Sequence, residues 1–282
     1  MPKPLYQLFF WVHRLSIDIA LGAASILFGL SQALALPIPL YFYLLLINGT
    51  FIVYWIDHIQ DSTQALLVQP GARHAIFKEK RSVFVGLILL LTLVNAGIAW
   101  LFLSVKIILA GTLLLLALLA YLRYHRKLKR VFILEKELLI ALLYSLSTGL
   151  PTWIYFQSNF VLDWLVFALL LLSVFFTALQ NLFSVARIEK EQDSQFKIRN
   201  ISQIFGSARL QSLQAMMLLL QGVTLIFLLL LFPQFGLLRF LVLLLLLAFI
   251  QYILPYFFTS AHNPYYRWLG DGSFVLLFLC GI

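Results

Sequence analysis

About nine apolar segments of membrane-spanning length divide this chain, at residues 16–35, 38–56, 83–103, 106–122, 138–156, 160–183, 211–232, 237–258 and 268–282. Hydrocarbon offers no partners for a polar backbone, so runs that must cross ~30 Å of it are expected as helices bonded within themselves. The predicted fold is therefore all-α: a multi-pass membrane bundle of about nine transmembrane helices around a central cavity. The charges support this segmentation. Of the 20 Lys and Arg, all but Lys106 and Arg239 fall in the N-terminus or in the loops after the second, fourth, sixth and eighth segments. Cytoplasmic loops carry the excess of Lys and Arg, which sets the N-terminus inside and the C-terminus outside. A miscounted segment would scatter these charges over both faces.

With 62% hydrophobic residues, 11% charged and a mean hydropathy of +0.97, an ordinary soluble domain is excluded. No linker, low-complexity tract or soluble domain interrupts the series, so residues 1–282 read as a single integral membrane domain. The opening residues up to Arg14 lack a short apolar region with a small-residue cleavage site, and no removed signal peptide is expected. One cysteine, Cys280, leaves no intramolecular disulfide and no Cys-based metal site. The net charge of +9 sits in short loops beside spans, where orientation and anionic headgroups account for it; nucleic acid is not an expected partner, whereas membrane lipids are. Asp163 is the only acid on the outer face, so function is assigned to the cytoplasmic one.

Two acidic clusters lie on that face. The first closes the second segment, Tyr54-Trp55-Ile56-Asp57-His58-Ile59-Gln60-Asp61. On a continuing helix Asp57 and Asp61 are one turn apart on one side. Like charges so placed cost ~0.2–0.5 kcal/mol, and an acid at membrane depth ~2.5–3.5 kcal/mol, which a divalent cation would offset. Hard carboxylate oxygens suit Mg²⁺, which shares one or two of them with substrate phosphates. Pairing of solvated helix-end acids with Arg73, Lys78 or Lys80 is the alternative. The second cluster follows the sixth segment, where Glu189 and Asp193 repeat the four-residue spacing at the corresponding depth. Two such pairs are able to hold metals on either side of a diphosphate. Glu191 points elsewhere and is expected to pair with Lys190 or Arg187.

Between the clusters runs a basic stretch from Tyr121 to Arg130, followed by Lys136. It serves either as a positive-inside anchor or as a contact for a phosphate-rich headgroup, with Arg199 and Arg209 available beyond the second acid pair. The histidines show no HExxH-like spacing, and all but His58 read as surface or interface residues.

The residues together resemble the UbiA family of intramembrane prenyltransferases. The resemblance rests on nine segments, a DxxxD at the end of the second, a Tyr-then-basic loop after the fourth, Gly149-Leu150-Pro151 in the fifth, and an acidic motif at the end of the sixth. It extends weakly to Tyr266-Arg267-Trp268-Leu269-Gly270-Asp271-Gly272. It implies a Mg²⁺-dependent transfer of a prenyl group from a prenyl diphosphate to a lipophilic, commonly aromatic, acceptor, in a bacterial inner membrane with the active face cytoplasmic. Asp57, Asp61, Glu189 and Asp193 would then be the catalytic metal ligands, and Arg126, Lys129, Lys136 and Arg199 the diphosphate contacts. Both motifs are shortened. Val53 and Tyr54 occupy the positions of a preceding Asn-Asp, and Val185 or Ala186 that of a further acid. A non-catalytic lipid-binding or scaffold member of the same fold is thus a second expectation. A transporter is disfavoured because Asp18 is the only acid well inside a predicted span. A CDP-alcohol phosphotransferase is excluded because Asp271-Gly272 continues as Ser-Phe-Val.

Overall fold

The computed structural model describes residues 11–62, 73–124, 134–156, 161–195, 200–232, 234–258 and 265–281, which contain helices and no strand. Six helices among them are long and apolar enough to cross a membrane, over Leu40–Gln60, Arg81–Phe102, Glu137–Tyr155, Asp163–Ile188, Ser207–Leu230 and Phe235–Phe257. Ile17–Ala33 and Val105–Ala117 are shorter apolar helices. The last apolar segment is divided between an α-helix, Tyr265–Gly272, and a 3-10 helix, Ser273–Gly281. The chain groups into two compact units, one of residues 1–21 and 39–127, the other of residues 22–38 and 128–282. Helix α1 (Ile17–Ala33) contributes its first turn to one and the rest to the other.

The first unit holds α2 (Leu40–Ser62), α3 (Arg73–Glu79), α4 (Arg81–Phe102) and α5 (Val105–Tyr124). Its core is aromatic, with Trp55 and Ile59 of α2 against Phe77 of α3 and Phe84 of α4. The Phe77 and Phe84 rings lie 4.2 Å apart, and Trp55 meets Phe84 edge-on at 5.4 Å. One polar bridge ties α2 to α4, Asn48 Nδ2 donating to Asn95 Oδ1 at 2.9 Å. Only 6% of the α4 apolar window is buried inside the protein, and Leu89, Leu93 and Trp100 are among its exposed residues. Such a surface is stable only against lipid or another apolar partner.

The second unit is built around α7 (Val161–Ile188), whose 28 residues contain neither Gly nor Pro and extend about 42 Å. Half of its apolar window is buried, against 44% for α11 (Phe235–Phe257), which marks these two as the centre. α6 (Leu134–Tyr155), α10 (Ser207–Leu231) and α12 (Tyr265–Gly272) pack around α7, with the short α8 (Lys190–Gln195) and α9 (Ile201–Phe205) below its end. Leu170, Val174, Leu228, Phe240, Leu244 and Leu277 form the main core. The part of α1 in this unit approaches closely because its facing residues are small. A Cβ on Gly29 would lie 2.6 Å from the Phe240 ring, and one on Gly236 2.6 Å from the Gln32 carbonyl oxygen. Ser25 Oγ completes the contact by donating to the Phe274 carbonyl at 2.6 Å. Small residues and hydroxyls of this kind join helices where lipid removes the hydrophobic drive between them.

A buried polar seam runs along α7. Gln221 of α10 donates to the Ser173 carbonyl (2.9 Å) and to Thr177 Oγ1 (2.8 Å), and accepts from Gln180 Nε2 at 3.1 Å. Gln214 donates to the Gln180 carbonyl and to Ser184 Oγ, at 3.1 and 2.8 Å. Gln251 of α11 reaches the Gly270 carbonyl at 2.9 Å.

Candidate functional site

Both acidic clusters lie where a candidate span ends, and each belongs to a different unit. In the first unit α2 continues past the apolar run through Asp57 and Asp61 to Ser62, so the two backbones are one turn apart. Asp57 is half-buried, and the side chain of Asp61 lies outside the described residues. The neighbouring His58 is 3% exposed, its Nε2 3.2 Å from Ser16 Oγ and its ring 4.9 Å from that of Phe77. Ser16 has a φ of 60°, in the left-handed region that non-glycine residues seldom occupy. Trp55 secures the same segment, its Nε1 donating to the Leu15 carbonyl at 3.1 Å. Asp18 lies in the first turn of α1 and not in its interior. There its Oδ1 accepts from the Ile19 N–H and its Oδ2 lies 2.7 Å from His13 Nδ1. A carboxylate in the first turn is favoured by the helix dipole, which reduces the cost expected of an acid deep in a span.

In the second unit Glu189 occupies the break between α7 and α8, and Asp193 follows one turn later, its N–H donating to the Glu189 carbonyl at 2.8 Å. Glu189 Oε1 accepts from three donors. Arg267 Nε and Nη2 lie at 2.8 and 2.5 Å, and the Tyr266 hydroxyl is the third. Asp193 Oδ2 accepts from Asn200 Nδ2 at 2.6 Å, while Asn200 Oδ1 caps α9 by accepting from the Ser202 N–H at 2.7 Å. One asparagine thus joins the acid to the helix that follows it.

The electrostatics follow from burial and neighbours. Burial by itself would lower the Arg267 pKa, but the Glu189 carboxylate, with Tyr266 and Asp271, raises it well above its ordinary value, so the guanidinium stays charged. The Tyr266 hydroxyl is pushed up by burial, and the Glu189 charge adds to this against the opposing effect of Arg267. Val185 packs with Ile188, Leu254 and Tyr266, and Ala186 packs into the α7–α10 core. An additional acid at either position would be buried among apolar groups, at a desolvation cost.

Arg126, Lys129 and Arg199 lie outside the described residues, and Lys136 is in α6 with its side chain undescribed. In the sequence, Tyr266 and Arg267 belong only to the weak end of the resemblance, and Asn200 carries no expected role. The signal present there is a Tyr-Arg pair in a short polar helix between apolar segments, and nothing local ties it to an acid 78 residues earlier. Beside the acids, Lys190, Glu191, Ser194 and Gln203 line an open depression of about 320 Å³.

The second cluster offers hard oxygen donors from Glu189 and Asp193 together with a permanently charged guanidinium. That donor set fits Mg²⁺ accompanied by a phosphate. No protein-family model, curated protein or solved structure matches this chain.

Proposed function

We propose that this protein is a Mg²⁺-dependent intramembrane prenyltransferase, UbiA-like, which moves a prenyl group from a prenyl diphosphate to an aromatic or lipophilic acceptor. Nine crossings around a central cavity, a cytoplasmic N-terminus and active face, and a bacterial inner membrane belong to this reading. The observation that carries it is the assembly of Glu189, Asp193, Arg267 and Tyr266 at the end of the longest apolar helix, where the sequence resemblance expects the second acidic motif. Asp57 and Asp61 at the end of α2, in the other unit, are the proposed first pair.

Transfer breaks the allylic C–O bond, whose electron pair leaves on the diphosphate. A new C–C bond then forms at the acceptor, which loses a proton. Asp57 and Asp61 in one unit, and Glu189 and Asp193 in the other, are the residues that would hold Mg²⁺, which would supply charge neutralisation for the departing oxygens. The protein's own part is positioning and shielding. Arg126, Lys129, Lys136 and Arg199 are the proposed diphosphate contacts, and apolar helices such as α7 and α11 keep water from the prenyl chain. The phenol of Tyr266, whose pKa is raised, stays protonated near neutral pH and is able to donate to an anion.

Purified protein incubated with labelled prenyl diphosphates, with and without Mg²⁺, tests this reading through binding, diphosphate release and prenylated product. Asp57→Asn and Asp193→Asn are expected to weaken Mg²⁺-dependent binding while the fold is retained. Unchanged binding in both variants returns these acids to a structural role. A second reading, a non-catalytic lipid-binding or scaffold member, is favoured by the neutralisation of Glu189 by Arg267. Binding without release of diphosphate would establish it.

A further inference from the structure

The Glu189–Arg267 pair has a geometry that a phosphate would improve. Both Arg267 nitrogens converge on one carboxylate oxygen, at 2.8 and 2.5 Å, and Tyr266 donates to that same oxygen. A guanidinium is a planar fork suited to two acceptor oxygens side by side, which a diphosphate presents in several places. The pair is not sealed in the core, since the two side chains keep 29% and 19% of their surface exposed. Among the described residues Asp271 acts on the Arg267 guanidinium together with Glu189, so an incoming anion meets acids as well as the arginine and is favoured by a cation that neutralises them.

Resting on the proposed function, we infer that Arg267 is the diphosphate-binding cation of this site and that Glu189 masks it in the ligand-free protein. On binding, the two exchange partners. Arg267 transfers its donors from Glu189 Oε1 to phosphate oxygens, and the released carboxylate becomes available to the metal. Tyr266 is freed by the same event and donates to the anion in place of the acid. No covalent bond forms or breaks. The partial exposure of both side chains leaves the pair within reach of an incoming anion.

The sign of one measurement separates a mask from a structural pair. Inorganic diphosphate, followed by calorimetry on detergent-solubilised protein, is the probe, with a non-hydrolysable geranyl thiodiphosphate as the lipid-linked arm. In metal-free buffer Glu189→Gln keeps the shape and an acceptor oxygen but removes the competing charge. It is expected to bind inorganic diphosphate about tenfold tighter than wild type, and Glu189→Gln/Arg267→Gln is expected to lose that gain. With Mg²⁺ the order reverses between wild type and Glu189→Gln, because the variant has lost a ligand. A gain shared by both diphosphates locates recognition in the phosphates, whereas a gain with the prenylated probe alone overturns the assignment of Arg267. No metal-free gain in Glu189→Gln, or a gain that survives loss of Arg267, also overturns the inference. If wild type binds neither probe with Mg²⁺, the prenyltransferase reading falls, while a metal-free gain in Glu189→Gln still supports the mask. Arg267→Gln alone is not decisive, since it leaves Glu189 without its main partner and threatens the fold.

Discussion

Replacing Gln221 by Leu removes three hydrogen bonds between α10 and α7 at a position only 4% exposed. Interhelical side-chain hydrogen bonds in membranes average ~0.6 kcal/mol, so their direct loss amounts to roughly 2 kcal/mol. A further cost falls on Gln180, which is fully buried and whose Nε2 donates to Gln221. An orphaned buried donor costs about 1–3 kcal/mol, while Leu recovers part of the total by packing, leaving an expected destabilisation of about 3 kcal/mol. The double variant Gln180→Leu/Gln221→Leu distinguishes this account from a simple sum. Gln180 Oε1 is buried and has no hydrogen-bond partner among the described residues, so once Gln221 is gone Gln180 is a liability at both of its polar atoms. The double variant should therefore be more stable than Gln221→Leu alone, by about 1–2 kcal/mol. Reversible unfolding in mixed micelles, or steric trapping in bicelles, measures all four corners of the cycle. A Gln221→Leu variant within ~0.5 kcal/mol of wild type, or a double variant as unstable as the sum of the singles, would refute the reasoning.

Tyr266 has a folded-state pKa raised above its ordinary value, so in the window above about pH 10 the unfolded chain binds fewer protons than the folded one and stability falls as pH rises. Tyr266→Phe should remove that part of the alkaline loss, and identical pH profiles between about pH 9 and 11.5 for variant and wild type would contradict it. Gly236→Ala sets a Cβ 2.6 Å from the Gln32 carbonyl oxygen, a backbone atom with little freedom to move, and should cost about 1–3 kcal/mol. Gly222→Ala, which meets nothing within 4 Å in α10, should instead gain about 0.5–1 kcal/mol of helix propensity; thermal unfolding of both variants checks the contrast. In a Cys280→Ala background, single cysteines at Lys78, Lys127 and Arg199 should react with a membrane-impermeant maleimide only from the cytoplasmic side. Labelling from outside would reject the proposed topology.

The helices at the centre of the second unit are legible in the hydropathy pattern alone. The expected segments 160–183 and 237–258 correspond to Val161–Ile188 and Phe235–Phe257. Hydropathy is a local property that accumulates residue by residue, and a backbone in lipid has few alternatives to the helix. Glu189 and Asp193 are legible as a pair for the same local reason, because four-residue spacing already places them one turn apart. The last apolar segment is harder to read. Composition alone does not distinguish a spanning helix from an α-helix of 8 residues followed by a 3-10 helix of 9.

What the sequence by itself determined is therefore the helical class, the most apolar spans and the clustering of acids and bases at their ends. Tertiary structure decided what those charges touch. Glu189 meets Arg267 across 78 residues because α12 packs on the end of α7, and Gln180 meets Gln221 because α10 lies along the same helix. Neither pairing has a local periodicity to announce it. Each depends on which helix faces close after the intervening chain has folded, and in the membrane that choice turns on a few small residues and polar bridges distributed along chemically similar apolar helices.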